Sequence, residues 1–99
     1  MKMETDLLIA LDEFCKVHNI EISFIYSLQQ SGLIEITKIS DASFIEADHL
    51  YQLEKFVRLY YDLDINLEGI ETINYLLERI SSMQDEINSL RNKLRVYED

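Results

Sequence analysis

Few residues in this chain could perform chemistry. Cys15 and His18 lie three apart, close enough to share one face of a helix. A thiolate beside an imidazole is the start of a metal site or of a nucleophile pair. The other histidine, His49, is far along the chain, and no third and fourth ligand stands at a usable spacing. Cys15, set among apolar residues, reads as a packing residue. The two glycines, Gly32 and Gly69, cannot form a phosphate-cradling loop. Carboxylates are abundant, but none forms a marked pair in an apolar setting that would make one a proton donor. The expectation is a non-enzyme without metal or cofactor, whose chemistry is recognition.

Three groups of residues could carry recognition. Ile22, Tyr26, Gln29 and Gln30 fall on one side of a helix expected over about Ile22–Ser31, opposite the inward Ile25 and Leu28, which Phe24 assists. An exposed apolar and aromatic helix face suits a protein partner, with tyrosine a frequent anchor. The alternative is that Ile22 and Tyr26 pack under the N-terminal segment. The second group is the acidic cluster Asp62, Asp64, Glu68 and Glu71, which otherwise is simply a solvated face. The third is an apolar seam within Asn66–Tyr97. Ile73, Ile80, Ile87 and Leu94 recur at seven, and Leu76, Met83, Leu90 and Tyr97 recur at seven, three behind the first set. Alternating steps of three and four are the coiled-coil pattern. At about 1.5 Å per residue the helix would run about 45 Å, which points to a partner, most simply a second copy of the chain.

These groups need elements to position them. Leu7–Leu11 is a short apolar run, either a brief strand or the first turn of a helix. Asp12 is a candidate N-cap for a helix Glu13–His18, and Asn19 suits its left-handed end. The next helix is stopped by Gly32, so the two form a helix-turn-helix about Asn19–Glu21. Leu33–Ile36 and Ser43–Ile45 are β-prone and predict a hairpin wing. Asp48 is the expected cap of a helix His49–Leu63, with Leu50, Leu53, Phe56 or Val57, Tyr60 and Leu63 inward. Asn66 is the expected cap of the long helix, and Gly69 in its first turn leaves room for a close approach. The resulting division is 1–65, a winged body with its connecting helix, and 66–99, a dimerisation helix.

Composition narrows the class. The 99 residues are 47% apolar, with no proline and two glycines, which describes one small, mainly helical globular unit. The longest apolar run is too short to span a membrane, and Glu4, Asp6 and Asp12 argue against a signal peptide. One cysteine allows no internal disulfide, so a cytoplasmic location is expected. The net charge is −10, but it is uneven. Residues 1–78 hold 15 acids against five bases, whereas residues 79–99 hold four of each. The seam is therefore neutral and the body acidic. An acidic body repels phosphate and attracts basic surfaces, unless its charge serves only solubility.

The order helix-turn-helix, wing, connecting helix and coil resembles the MerR-type winged-helix regulators. Within them it is most similar to the chaperone-modulator, CbpM-like family. The similar residues are Asp12-Glu13-Phe14-Cys15, Asn19-Ile20 and Gly32-Leu33-Ile34-Glu35. Phe44-Ile45 stands where the family has an aromatic–aliphatic pair in the wing. Arg58-Leu59 through Leu63, Ile65, Gly69-Ile70 and Leu76-Leu77 continue the match. Asn19 and Glu21 depart from the family's frequent Gly and Ser, and the second half of the wing aligns only with a gap. The resemblance implies a homodimer that binds the J-domain of a DnaJ-like co-chaperone, the curved-DNA-binding protein, and restrains its action with an Hsp70. It also implies a partner with a basic second helix, in keeping with the acidic body. MerR-type sensors often carry metal-binding cysteines after the dimerisation helix; no such cysteine is present here.

The alternative is a MerR-type DNA-binding transcription regulator. A DNA reader needs Arg or Lys for phosphates, and Val17–Thr37 contains neither. Gln29 and Gln30 could touch a base edge, and Lys38 is offset by Asp41, Glu46 and Asp48. Direct DNA binding is therefore the weaker expectation. The seam is ambiguous in orientation. With Ile73 at position a, Glu86 with Arg91 and Lys93 with Glu98 pair favourably in a parallel dimer. The family resemblance implies an antiparallel one, with the first turns held through Gly69, Ile70 and Leu77, and antiparallel is the orientation expected here.

Overall fold

The computed structural model of the chain describes residues 7–98. They divide by contact into two units, a body ending at Leu67 and a helical unit beginning at Glu68. The body opens with a short strand, Leu8–Ala10 (β1), that runs straight into a helix, Leu11–His18 (α1). The run Leu7–Leu11 therefore serves as both strand and first helical residue. A cap at Asp12 was expected, but the N-cap is Ala10 and carries no side-chain bond. Pairing of β1 holds Ala10 extended, so the helix starts without a polar cap. Asp12 and Glu13 fall in its first turn, where the helix dipole favours acids.

Asn19 ends α1 as its composition predicts, at φ 57°. The Ile20 N–H donates to the Cys15 carbonyl at 3.0 Å and the Asn19 N–H to that of Lys16 at 3.4 Å, a Schellman closure. The second helix, Ile22–Gln30 (α2), ends the same way. Gly32 takes φ 79°, and the Leu33 N–H reaches the Leu28 carbonyl at 2.9 Å. Two helices with matching left-handed stops make the helix-turn-helix.

The wing differs from the expected one. Its strands are Thr37–Ile39 (β2) and Ala42–Glu46 (β3), so the first lies beyond Leu33–Ile36. Leu33 is used in closing α2, and Ile34 is buried in the core. Register is instead set by the turn, because Ser40 and Asp41 both have positive φ and Ile39 faces Ala42. That two-residue turn matches the natural twist of a hairpin. β1 adds to the other side of β3, giving a three-stranded antiparallel sheet in the order β1-β3-β2.

The connecting helix also differs. Asp48 does not cap it but lies within a 3-10 turn, Ala47–His49, and the α-helix proper is Leu50–Val57 (α3). Five residues, Arg58–Asp62, then continue with π geometry. The wider turn rotates the residues after it, so Leu63, expected inward, is 62% exposed. Of the pair Phe56 or Val57, Phe56 is the buried one. Leu11, Phe14, Ile25, Leu28, Ile45, Leu53 and Phe56 form the body's core, drawn from every layer. Each fully buried side chain contributes about 1.5–3 kcal/mol relative to exposure.

The second unit is the rest of a continuous helix, Leu67–Glu98 (α4), of 32 residues and thus about 48 Å. The fold class expected from sequence is the observed one: mainly helical, a winged helix-turn-helix with a small sheet and a long C-terminal helix.

Candidate partner-binding surface

The face of α2 is assembled partly by the wing. Tyr26 is half-buried, and its hydroxyl lies 2.7 Å from Ser43 Oγ on β3. The Lys38 ammonium stands 6.0 Å from the centre of the Tyr26 ring. Tyr26 thus contacts the wing, and its phenol is not wholly available to another molecule. Ile22 is also half-buried, whereas Gln29 and Gln30 are exposed. No Lys or Arg lies on α2 or in the turn before it. The helix that would enter a DNA groove offers a phosphate no cationic side chain.

A second feature has almost no signal in the sequence. Phe24 stacks on Tyr60 with ring centres 4.2 Å apart and meets the edge of Tyr61 at 5.6 Å. Tyr60 and Tyr61 meet each other edge-on at 5.0 Å. Both tyrosines stand on the π segment Arg58–Asp62, and both meet Phe24. The Tyr61 hydroxyl also accepts the Glu21 N–H at 3.1 Å, which ties the start of α2 to that segment. Phe24 itself is buried, while Tyr60 and Tyr61 are 38% and 40% exposed. The one sequence signal for this cluster is the adjacent tyrosine pair.

The acidic residues are all exposed. Asp62 closes the π segment, and Asp64 comes two residues later in left-handed geometry at φ 59°. Glu68 and Glu71 occupy the first turns of α4. On α4, Ile73 is half-buried and the other seam residues are exposed. From Leu76 through Ile80, Met83, Ile87, Leu90 and Leu94 to Tyr97, exposure ranges between 45% and 86%. Seven large apolar side chains therefore form an exposed stripe along this helix.

Burial and the nearby Asp12 carboxylate push the Cys15 thiol above its ordinary range, so it favours the unreactive protonated form. His18 packs its ring against Phe14 at 4.3 Å. Among the described residues no three His, Cys, Asp or Glu side chains group as a metal site, and no helix is long and apolar enough to cross a membrane.

Comparison with known proteins agrees with this architecture. The family described as MerR HTH family regulatory protein matches residues 9–92, and the chain belongs to it. No curated protein and no solved structure matches the chain.

Proposed function

We infer that this MerR-family regulator acts on a protein rather than directly on DNA, without catalysis. The partner class is the J-domain of a DnaJ-like co-chaperone of the curved-DNA-binding type, as in the CbpM-like proteins the chain resembles. One observation carries the choice. α2, the element a DNA reader would lay in the major groove, has no cationic side chain and is preceded by Glu21. Lost phosphate contacts remove both affinity and hold on the duplex. The acidic body suits a basic helical surface, and covering that surface would block its productive encounter with an Hsp70. The protein works as a homodimer through Ile73, Leu76, Ile80, Met83, Ile87, Leu90, Leu94 and Tyr97. Residues 1–65 serve the partner and residues 66–99 self-association.

The test is affinity capture from a cell lysate with the full chain as bait, at low and at high salt. Recovery of a J-domain protein, lost as salt rises, is the expected result. A capture empty of J-domain proteins removes this reading.

A second reading is favoured by the family match itself, which supports a MerR-type DNA-binding transcription regulator. Exposed Gln29 and Gln30 would then touch base edges and Lys38 a phosphate. A mobility shift of genomic fragments at low salt tests it. Absence of any shift at micromolar protein excludes it.

A further inference from the structure

The tyrosine pair in the π segment after α3 lines two clefts. On one side Phe24, Tyr60, Tyr61 and Glu21 line an open cleft of about 300 Å³. On the other, Tyr60, Tyr61, Asp64 and Ile65 line one of about 330 Å³. Both tyrosines belong to both clefts, so their rings form a shared ridge. Each side of the ridge has one carboxylate, Glu21 in the first cleft and Asp64 in the second. Both carboxylates are exposed at the surface. Volumes of this size are at the low end of ligand sites, which span roughly 300–1,000 Å³. They suit a side chain better than a cofactor.

We propose that this ridge docks a basic segment of a partner protein, taking one arginine side chain in each cleft across Tyr60 and Tyr61. Three features select the occupant. An aromatic face attracts a cation, and a planar guanidinium stacks on it better than an ammonium. A carboxylate beside the ring offers the guanidinium a charged acceptor. The body around the ridge carries a surplus of acids, so long-range attraction has the same sign as the local one. The ridge depends on the π segment, and such segments are frequent at functional sites. Its geometry is held from two directions, by the Phe24 stack and by the bond from the Glu21 N–H to the Tyr61 hydroxyl. The rings therefore meet a ligand already ordered, which lowers the cost of binding.

This proposal deepens the protein-partner reading by naming the surface and the side chain, and it rests on that reading for its biological source only. The probe is an alanine-based helical peptide with two arginines four residues apart, added to the full chain at low salt and monitored by amide NMR shifts. Its control is the same peptide with citrulline, which keeps the shape and removes the charge. The expected result is a set of shifts centred on Glu21, Tyr60, Tyr61 and Asp64 that the citrulline peptide does not produce. Glu21→Gln with Asp64→Asn leaves both side-chain shapes nearly unchanged, and asparagine tolerates the left-handed backbone at 64. That double variant is expected to bind the arginine peptide about tenfold more weakly. Shifts spread evenly over the acidic surface, or equal binding by the double variant, overturn the site. Tyr60→Ala adds a ring deletion, with retained helical circular dichroism as its folding check; unchanged binding in the folded variant also overturns it. A J-domain captured equally well by the double variant and the wild type removes the ridge and leaves the J-domain reading standing. Peptide binding at the ridge with no J-domain captured does the reverse.

Discussion

Replacing Ile80 with alanine tests whether the exposed stripe of α4 is an interface. The change removes about three methylene equivalents, worth about 2.4 kcal/mol if they pass fully from water to a core. Ile80 is already 54% exposed in the single chain, so pairing has about half of that transfer to gain, ~1.2 kcal/mol per chain. A homodimer carries the change twice, which gives about 2.4 kcal/mol and a roughly 60-fold weaker dimer. Sedimentation equilibrium over a concentration series measures the Kd directly. Val96 supplies the control, because it is apolar and 73% exposed on the same helix but lies off the seam. Val96→Ala is expected to leave the Kd within about twofold, as surface substitutions away from such features usually do. A wild type that sediments as a monomer throughout refutes self-association through the seam. Equal weakening by Ile80→Ala and Val96→Ala refutes it too, because then the stripe is not the interface.

Further outcomes are expected at four positions. Gly32→Ala meets no neighbouring atom within 4 Å, so its cost is the left-handed backbone alone, about 1–2 kcal/mol in a denaturant titration. Tyr26→Phe removes the bond to Ser43 and lowers stability by about 0.5–1.5 kcal/mol, seen as a lower Tm with unchanged helical content. Cys15, with its thiol held protonated, reacts with iodoacetamide more slowly than free cysteine at mildly alkaline pH. The raised folded value also sets the sign of its linkage. The contribution is complete below the ordinary cysteine range and declines as pH rises through the folded value, so Cys15→Ser flattens the alkaline fall in stability. Leu94→Cys in a Cys15→Ser background distinguishes coil orientations: sparse symmetric disulfide on oxidation fits the antiparallel pairing, and ready disulfide fits the parallel one.

Features governed by local chemistry were legible in the sequence. Asn19 and Gly32 marked both helix ends because few residues accept positive φ, and the structure uses both there. Ile25 and Leu28 were placed inward by spacing alone and are fully buried. The wing's second strand was placed correctly at Ser43–Ile45, but its first was misplaced because Leu33–Ile36 is β-prone by composition, while the strand that forms is chosen by the turn at Ser40–Asp41 and by pairing with β3. No local pattern announces that β1 will join the same sheet, since that contact spans most of the body. The tyrosine ridge was missed for a related reason. A period of 3.6 residues assigns Tyr60 inward and Tyr61 elsewhere, and the period itself changes at Arg58.

The π segment Arg58–Asp62 makes this the part of the chain most sensitive to counting. A π turn holds about one residue more than a regular α turn, so the positions after it depart from the α-helical register. Substitutions there change what the side chains are, but a deletion of one residue would change where they point. Removing Leu59 would allow the stretch to close as a regular helix, which satisfies the backbone at least as well. It would also return Tyr60 and Tyr61 to a regular turn's spacing of about 100°. Tyr60 and Tyr61 would then point in new directions relative to Phe24, although neither had been altered. Relatives that differ from this chain by a single-residue gap in the segment should therefore differ in how these two rings are placed, however similar their residues.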